Sequence, residues 1–351
     1  MMQPLLITHN IQESLSHLFE GVTYDHIFIL TDTNTEKFCL PLLPQIIRKR
    51  SKVITIQDGD RNKTFDALAS VWTYLSNHHA TRKSLLINLG GGMVTDLGGF
   101  AASTFKRGMT FINLPTTLLG AVDAAVGGKT GINFNGLKNE VGVFANAKYV
   151  IMTTEFFHTL THGELLSGYA EMLKHALIDS DDTWSKVTAF NLDEVDYDSL
   201  TRLLGNSVKI KERIVASDPQ EKGLRKALNL GHTFGHAFES MAMHEKRDCP
   251  HGYAVAWGMI CELYLSHIKK GFPVTKLREA VDFIKSYYGS FHFTCNDYET
   301  LYELMTHDKK NESAKINITM LSDIGEIQIN QTADKEEIFQ ALDFFRECYG
   351  K

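Results

Sequence analysis

The chain has 351 residues, 43% of them hydrophobic and 22% charged, which is ordinary for a globular protein long enough to form two domains. Its formal net charge of −6 argues against nucleic acid as the main partner. No apolar run reaches the length of a membrane span, and the first residues lack a charged-then-apolar signal pattern, so we expect neither membrane insertion nor secretion.

The cysteines indicate a reducing compartment. Their number is odd and their spacing shows no pairing, so a disulfide framework is not expected and the cytoplasm is the predicted location: Cys39, Cys249, Cys261, Cys295 and Cys348. Cys249 stands two residues before His251, which makes it an alternative soft ligand for a metal.

The first third of the chain alternates strand-like and helix-like segments. Predicted strands lie at 26–32, 51–58, 84–89 and 110–115, and helical segments at 66–78 and 98–108. This alternation, with continuous apolar strands, predicts a parallel sheet covered by helices, in which ligands bind beyond the carboxyl ends of the strands. We therefore predict an N-terminal α/β, Rossmann-like domain over 1–160.

Polar and glycine residues follow several of these strands. The triplet Gly90, Gly91 and Gly92 comes directly before a helical segment that carries Asp96, where a backbone can approach a pyrophosphate. A bare glycine triplet is also common in tight turns, and Asp or Thr after a strand is also an ordinary helix cap. Together at one sheet edge they predict a dinucleotide site, with these further members: Asp32, Thr33, Asn34, Asp58, Asp60, Lys63, Thr116 and Thr117.

The glycine-rich segment 122–144 is too irregular for one helix, and we predict a loop. It carries Asp123, Lys129, Lys138 and Asn139, which are hard to place in a core. The segment is either a solvated loop or a cradle for an anionic, polyhydroxylated substrate held by the lysines.

From about residue 160 the pattern is helical. Predicted helices lie at 164–178, 198–217, 229–244, 254–270, 276–289 and 336–350, with a hairpin at 315–329 that turns at 322–325. The first of these helices puts Glu171, Lys174 and His175 on one face. We therefore predict an all-α C-terminal domain over 161–351.

Three histidines cluster in this half of the chain. His232 and His236 lie one helical turn apart and share a face with Glu239, and His251 follows a predicted loop. A lone histidine is more often a core or surface residue, but several histidines in one place favour a catalytic zinc site. Two polar residues precede them, Arg225 and Asn229. Two histidine ligands rarely suffice, so a further ligand is expected from elsewhere in the chain.

These segments, taken together over positions 90–310, resemble the 3-dehydroquinate synthase family of the shikimate pathway. The matching motifs are GGGMVTDLGGFAAS, LPTTLLGAVDAAVGGKT, LKNEVGVF, SGYAEMLK, GLRKALNLGHTFGHAFE, HGYAVAWGM and HDKK. The resemblance implies a Rossmann-like NAD-binding domain, an all-α domain with a catalytic zinc (cobalt being the alternative), and a homodimer. The implied reaction converts a phosphorylated sugar acid, 3-deoxy-D-arabino-heptulosonate 7-phosphate, to 3-dehydroquinate and phosphate.

The resemblance also assigns residues. It implies Glu171, His232 and His251 as metal ligands, and Glu221 and His236 as residues that handle protons. The implied substrate contacts are Arg107 (across a dimer interface), Asp123, Lys129, Asn139, Lys174, Lys211, Arg225, Asn229, His236, Lys309 and Lys310. Of these, the resemblance also assigns Lys129, Lys174, Arg225, Asn229 and His236 to catalysis. Implied NAD contacts are Asp32, Asp60, Lys63, Gly90, Gly91, Gly92, Asp96, Thr116, Thr117, Asp123, Lys129, Lys138, Phe156 and Thr159.

One departure concerns the metal site. The family commonly has Glu two residues after the last metal histidine, whereas this chain has Tyr253, so the support of His251 is in question. Two alternatives share the implied fold, another sugar phosphate cyclase and a metal-dependent polyol dehydrogenase, and a third, from a different class, is a non-catalytic NAD-binding regulator. The retained metal ligands and basic residues disfavour the last two.

Overall fold

The computed structural model describes residues 3–19, 24–135, 137–306 and 316–350, and the chain forms two compact units. The first unit comprises residues 1–165 and 195–212, and the second comprises 166–194 and 213–351. The segment 195–212, which follows the first residues of the second unit in sequence, therefore packs with the N-terminal unit.

Strands and helices alternate in the first part of the chain. In order they are β1 (Leu5–Ile7), α1 (Ile11–Phe19), β2 (Ile27–Asp32), α2 (Thr33–Phe38), α3 (Gln45–Arg50), β3 (Ser51–Ile56), α4 (Phe65–Asn77), β4 (Leu85–Gly90), α5 (Gly92–Thr104), β5 (Thr110–Pro115), β6 (Lys129–Phe134), β7 (Leu137–Phe144) and β8 (Val150–Met152).

The remaining elements are mostly helices. They are α6 (His162–Leu177), α7 (Asp181–Thr188), α8 (Tyr197–Ser217), α9 (His232–His244), α10 (His251–Lys270), α11 (Val274–Tyr288), α12 (Tyr298–Thr306), β9 (Ile316–Asp323), β10 (Glu326–Ala333) and α13 (Lys335–Cys348). Among the residues with assigned structure, no helix is both long and apolar enough to cross a membrane.

A parallel sheet organises the first unit. Its order is β1-β8-β5-β4-β2-β3, and every residue of β2 and β4 is buried. The register pairs Gly90 with Pro115 and Asp32 with Ile56, so the carboxyl ends of these strands meet at one edge of the sheet. The predicted Rossmann-like architecture is confirmed. The short strands β1 and β8 escaped prediction because three residues carry too little pattern.

The prediction of a loop over 122–144 is wrong for most of that segment. A single π-type turn at Gly120–Ala124 leads into an antiparallel hairpin of β6 and β7. Gly131 pairs with Gly142, and a Cβ added to Gly142 would lie 2.0 Å from the Thr130 carbonyl oxygen. Glycine here permits close strand pairing rather than marking a loop.

The second unit is helical apart from one antiparallel hairpin. Strands β9 and β10 turn at Gly325, as predicted, and β10 extends to Ala333. The prediction that a helix begins at Asn229 is wrong, because a 3₁₀ turn over Leu224–Asn229 precedes α9. Gly231, with φ of +80°, separates the two and lets α9 begin at His232.

Candidate active site

Three helices of the second unit bring together Glu171 on α6, His232 at the start of α9 and His251 at the start of α10. Their ligand atoms all lie within 4.8 Å of one another. Glu171 Oε1 is 3.5 Å from His232 Nε2 and 3.6 Å from His251 Nε2. Ligand atoms on a tetrahedral zinc ion lie about 3.4 Å apart, so this spacing fits a zinc-sized cation.

The buried carboxylate of Glu171 supports the same conclusion. Its side chain is fully buried, and in the described part of the chain neither of its oxygens has a hydrogen-bond partner, although Lys174 forms an ion pair with Oε2. Burial by itself would raise the pKa of Glu171, but Lys174, His251 and His232 outweigh it and hold the pKa well below its usual range. A buried carboxylate with unmet acceptor capacity is a suitable ligand for a divalent metal.

Both histidines are oriented through Nδ1. His232 Nδ1 lies 3.2 Å from the Leu230 carbonyl oxygen, and His251 Nδ1 lies 3.2 Å from Glu239 Oε2. With each Nδ1 donating to its acceptor, Nε2 presents a lone pair toward Glu171. Metal binding through Nε2 requires the neutral tautomer with its proton on Nδ1.

The two imidazoles titrate differently in the metal-free chain. Burial and the charge of Lys174 hold the pKa of His232 well below its ordinary value. Burial would also lower the pKa of His251, but the carboxylates of Glu239 and Glu171 outweigh it and raise this pKa to about 10. A metal ion bound here would therefore displace a proton from His251.

Glycines let the ligand-bearing helices approach closely. A Cβ on Gly252, the second residue of α10, would lie 1.8 Å from the Ser167 carbonyl oxygen on α6. The Gly252 N–H also donates to Ser167 Oγ at 3.1 Å. These contacts hold the start of α10, and with it His251, against the helix that carries Glu171.

Two other candidate ligands fall outside this cluster. Among the described residues, the groups with metal-like spacing are Glu171 with His232 and His251, and His236 with Glu239 and His251. Neither group contains His175 or Cys249. Because the groups share His251, we treat them as one site. The His236 ring centroid lies 5.4 Å from that of His232, beside the ligands.

The loop before α9 gathers three further candidates, Glu221, Arg225 and Asn229. Asp218 accepts hydrogen bonds from three backbone N–H groups of this loop, including that of Arg225. Glu221 has φ of +59° and accepts from Asn229 Nδ2 at 3.2 Å. The buried Arg225 donates to the Pro219 carbonyl oxygen at 2.8 Å. A left-handed Glu fixed in this way is typical of a functional loop.

In the first unit, the glycine triplet meets the threonines that follow β5. Strand β4 ends at Gly90 and α5 begins at Gly92, so Gly91 caps the helix without a side chain. The Thr116 N–H donates to the Gly90 carbonyl oxygen at 3.0 Å, and a Cβ on Gly91 would lie 3.1 Å from Thr117 Cγ2. The bare helix N-terminus can accept a phosphate group.

A buried lysine organises the acidic residues nearby. Lys63 Nζ lies 3.0 Å from Asp96 Oδ2, 2.5 Å from Asn139 Oδ1 and 3.3 Å from Asp60 Oδ1. Lys138 Nζ is 3.9 Å from Asp60 Oδ2. Burial raises the pKa of Asp96 to about 6 despite the charge of Lys63. Five residues predicted to bind ligands therefore lie in one cluster.

Other predicted residues of this unit have identified surroundings. Asp123 pairs with the buried Lys211 of α8, and Lys129 begins the hairpin with an exposed side chain. Asp32 caps α2 by accepting from two backbone N–H groups. Phe156, which follows β8, is fully buried, and its carbonyl oxygen accepts a hydrogen bond of 2.8 Å from Thr159 Oγ1.

Among the described residues, the predicted Arg107 does not join these groups. Arg107 is exposed and lies before β5, at the amino ends of the strands, whereas the glycine triplet lies at their carboxyl ends. Lys309 and Lys310 lie outside the described residues.

Sequence reasoning assigned no role to two residues that shape the site, Glu239 and Asp218. Glu239 shares a helix face with the histidines, which was the available signal, but its contact with His251 depends on how two helices cross. Asp218 carried no signal, because its hydrogen bonds form only after the loop folds back on the end of α8.

The comparisons with known proteins bear on both units. Residues 53–167 match the family model described as 3-dehydroquinate synthase N-terminal, and residues 168–311 match the one described as 3-dehydroquinate synthase C-terminal. The 3-dehydroquinate synthase of Parabacteroides distasonis is 52% identical over 349 residues, which cover 99% of each chain.

Two solved structures share the fold at 20% sequence identity. One is 2-epi-5-epi-valiolone synthase from Streptomyces hygroscopicus with NAD+ and Zn2+ bound, with a TM-score of 0.86 over 99% of this chain and 97% of that one. The other is 2-deoxy-scyllo-inosose synthase complexed with carbaglucose-6-phosphate, NAD+ and Co2+, with a TM-score of 0.84 over 98% and 96%. These two structures share the fold only. The two family models and the relative at 52% identity show that the chain belongs to the 3-dehydroquinate synthase family.

Proposed function

We propose that the chain converts 3-deoxy-D-arabino-heptulosonate 7-phosphate to 3-dehydroquinate and phosphate with bound NAD and one divalent metal ion. The observation that carries the proposal is the buried cluster of Glu171, His232 and His251, whose ligand atoms have metal-like spacing. Zinc is the proposed ion and cobalt the alternative. Two fold relatives are described with NAD+ and with Zn2+ or Co2+, which supports both cofactors.

The two units take different parts of the task in this proposal. In the first unit, the glycine triplet at the start of α5 would hold the pyrophosphate of NAD, and the residues around Lys63 together with Thr116 would hold its ribose and nicotinamide groups. The second unit binds the metal and the sugar acid. When bound, NAD supplies a reversible hydride acceptor and the metal supplies a Lewis acid for the substrate hydroxyl oxygens.

Polar side chains of the second unit orient the substrate. Arg225, held by its contact with Pro219, offers a guanidinium suited to a carboxylate or phosphate group. Asn229 is held by Glu221 and is placed to contact a hydroxyl. Glu221 and His236 move protons to and from substrate oxygens, and Lys174 neutralises the site beside Glu171.

Three residues of the first unit remain proposed substrate contacts: Lys129 and Asn139 for the phosphate group or other oxygens, and Lys211 for the carboxylate and hydroxyls. Lys129 is exposed at the start of β6, and Lys211 is held by Asp123. Arg107 lies away from the other candidates of its own unit, which supports the proposal that it serves the site of a partner subunit in a cytoplasmic homodimer. Lys309 and Lys310 remain proposed substrate contacts.

The test is turnover of the purified, zinc-loaded chain with the heptulosonate phosphate and a catalytic amount of NAD+. Phosphate release that matches 3-dehydroquinate formation, without net NADH, supports the proposal. Steady accumulation of NADH would indicate a polyol dehydrogenase. Absence of reaction despite tight NAD and zinc binding would point to another sugar phosphate cyclase.

His232→Ala provides the matched variant. Loss of a direct ligand should cost more than the roughly 10–100-fold that follows from loss of a supporting residue, so we expect zinc affinity and turnover to fall by more than about 100-fold. NAD affinity, measured by fluorescence titration, should change little because the nucleotide residues lie in the other unit. Full turnover by a zinc-free His232→Ala protein would contradict the metal assignment.

A further inference from the structure

A second buried carboxylate lies behind the metal cluster, on α10. Glu262 is fully buried. Its Oε2 accepts a hydrogen bond of 2.7 Å from the Gly231 N–H, and its Oε1 accepts one of 3.0 Å from the Thr233 N–H. These two amides flank His232, so one side chain of α10 holds the backbone on both sides of a ligand carried by α9.

The start of α9 needs such a partner. The first N–H groups of a helix have no acceptor within the helix, and they are usually satisfied by the side chain of the capping residue. Here the capping residue is Gly231, which has no side chain. A Cβ added to Gly231 would lie only 2.6 Å from the Val255 carbonyl oxygen, so no larger residue fits. Glu262 supplies the cap from another helix, and a carboxylate at this end also complements the helix dipole.

Glu262 forms a polar link across a close helix crossing, and Glu239 of α9 forms another with His251 of α10. A Cβ on Gly258 would lie 2.0 Å from the Gly231 carbonyl oxygen, and a Cβ on Gly235 would lie 3.0 Å from that of Ala254. At Gly258 and Gly235 helix backbone faces helix backbone, so these two residues contribute no side chain that would set the register. The paired hydrogen bonds of Glu262 supply a register, because they form at one relative position of α9 and α10.

We propose that Glu262 is a positioning residue for the metal centre, which fixes His232 on α9 relative to His251 on α10. His251 is the first residue of the helix that carries Glu262, so a single carboxylate ties both histidine ligands to one rigid element. The inference rests on the proposed metal site. It adds a residue that touches neither the ion nor the substrate.

Glu262→Gln tests the inference with little change in volume. Both carboxylate oxygens accept hydrogen bonds, whereas the amide of Gln would present N–H to one of the two backbone N–H groups. We expect zinc affinity, measured on the metal-free protein by competition with a chelator, to weaken about 10–100-fold. The visible spectrum of the Co2+-substituted protein should shift as His232 moves.

Ser266→Ala is the matched control. Ser266 is also fully buried on α10, one turn after Glu262. Its Oγ donates to the Glu262 carbonyl oxygen at 2.7 Å and accepts from the Leu321 N–H at 3.1 Å, so it holds strand β9 rather than α9. We expect this variant to lower thermal stability while it leaves zinc affinity and the Co2+ spectrum unchanged.

The outcomes separate this inference from the proposed function. Failure of the unaltered chain to bind zinc or cobalt tightly would overturn the metal centre, and the role of Glu262 with it. Tight binding by the unaltered chain and equally tight binding by Glu262→Gln, or equal weakening in both variants, would overturn the role of Glu262 only.

Amide hydrogen exchange on the unaltered, metal-free chain gives a test that needs no variant to fold. The Gly231 and Thr233 amides should exchange as slowly as those in the middle of α9 if Glu262 holds them. Exchange as fast as that of an uncapped helix end would overturn the inference.

Discussion

Position 253 is where the chain departs from the pattern expected of its family, and the departure bears on His251, two residues earlier. The Nε2 of His251 faces Glu171, and its Nδ1 meets Glu239 at 3.2 Å. The family commonly places a Glu where this chain has Tyr253, whose ring instead packs against Trp257 and Tyr288. A carboxylate partner of this histidine comes instead from Glu239 on α9, the last residue of the shared motif GLRKALNLGHTFGHAFE, so His251 keeps such a partner although position 253 is not acidic.

We predict that Glu239→Ala weakens zinc binding by about 10–100-fold, because His251 loses the acceptor that sets its tautomer and ring orientation. Glu239→Gln keeps an acceptor oxygen and should have a smaller effect. Chelator competition on the metal-free proteins measures both.

Tyr253→Phe is the control for this prediction, because it keeps the aromatic packing and removes only the hydroxyl. Its zinc affinity should match that of the unaltered chain. An unchanged affinity in Glu239→Ala, or a large loss in Tyr253→Phe, would contradict the role of Glu239 as the residue that orients His251.

At the same scale, the sequence could indicate ligands better than their supports. The histidine spacing favoured a metal site, and the resemblance to the family then supplied Glu171, His232 and His251 as the ligands. Glu239 and Glu262 act on residues of another helix, and the required crossing of α9 and α10 is not encoded in any local pattern. Their roles emerged only from the hydrogen bonds between helices.

At the scale of elements, the ligand geometry depends on glycines at helix contacts. Gly252 allows α10 to begin against Ser167 of α6, and Gly258 allows α10 to cross the start of α9. Such contacts are intolerant of any added atom because the opposing group is backbone, which cannot rotate away.

We predict that Gly252→Ala destabilises the chain by about 2–3 kcal/mol and weakens zinc binding by more than about tenfold. The added methyl would lie 1.8 Å from the Ser167 carbonyl oxygen, so the start of α10 must move and carry His251 away from Glu171. Urea unfolding and chelator competition measure the two effects.

Ser167→Ala separates the steric effect from the hydrogen bond. It removes the bond from the Gly252 N–H without adding an atom, and it should cost only about 1 kcal/mol with little change in zinc affinity. Normal zinc affinity in Gly252→Ala would show that the close contact does not position the ligand.

Element prediction succeeded where periodicity was strong and failed where glycine had another use. The buried strands β2, β4 and β5 and the long helices followed directly from apolar runs and helical spacing. The hairpin of β6 and β7 and the start of α9 were misassigned, because the glycines there serve close backbone packing and a left-handed cap rather than a loop or a helix interior.

At the scale of the whole molecule, each unit holds a separate set of candidates. Parallel strands in the first unit bring residues far apart in sequence to one sheet edge, a consequence of topology that the alternating pattern predicted. The helical unit has no such rule, so its site could be assigned only through the resemblance. In the first unit, the buried Lys63 and its partner Asp96 also make the stability of the chain depend on pH.

Burial raises the pKa of Asp96 from an ordinary 3.8 to about 6, even though Lys63 opposes the shift. The folded chain then binds this proton more tightly than the unfolded chain does. The stability that comes from this group is therefore present below about pH 4 and is lost as the pH rises through 6. A shift of about two pKa units corresponds to about 3 kcal/mol.

Asp96→Asn cannot ionise, so we predict that its free energy of unfolding rises relative to that of the unaltered chain by about 2–3 kcal/mol between pH 4 and pH 7. Urea unfolding at several pH values measures this difference.

Asp179→Asn provides a control of opposite sign. Burial would raise the pKa of Asp179, but hydrogen bonds from Thr183 and Arg213 outweigh it and lower the pKa. Asp179→Asn should therefore lose stability relative to the unaltered chain as the pH rises. A pH-independent difference for Asp96→Asn would show that Lys63 fully compensates the burial of Asp96.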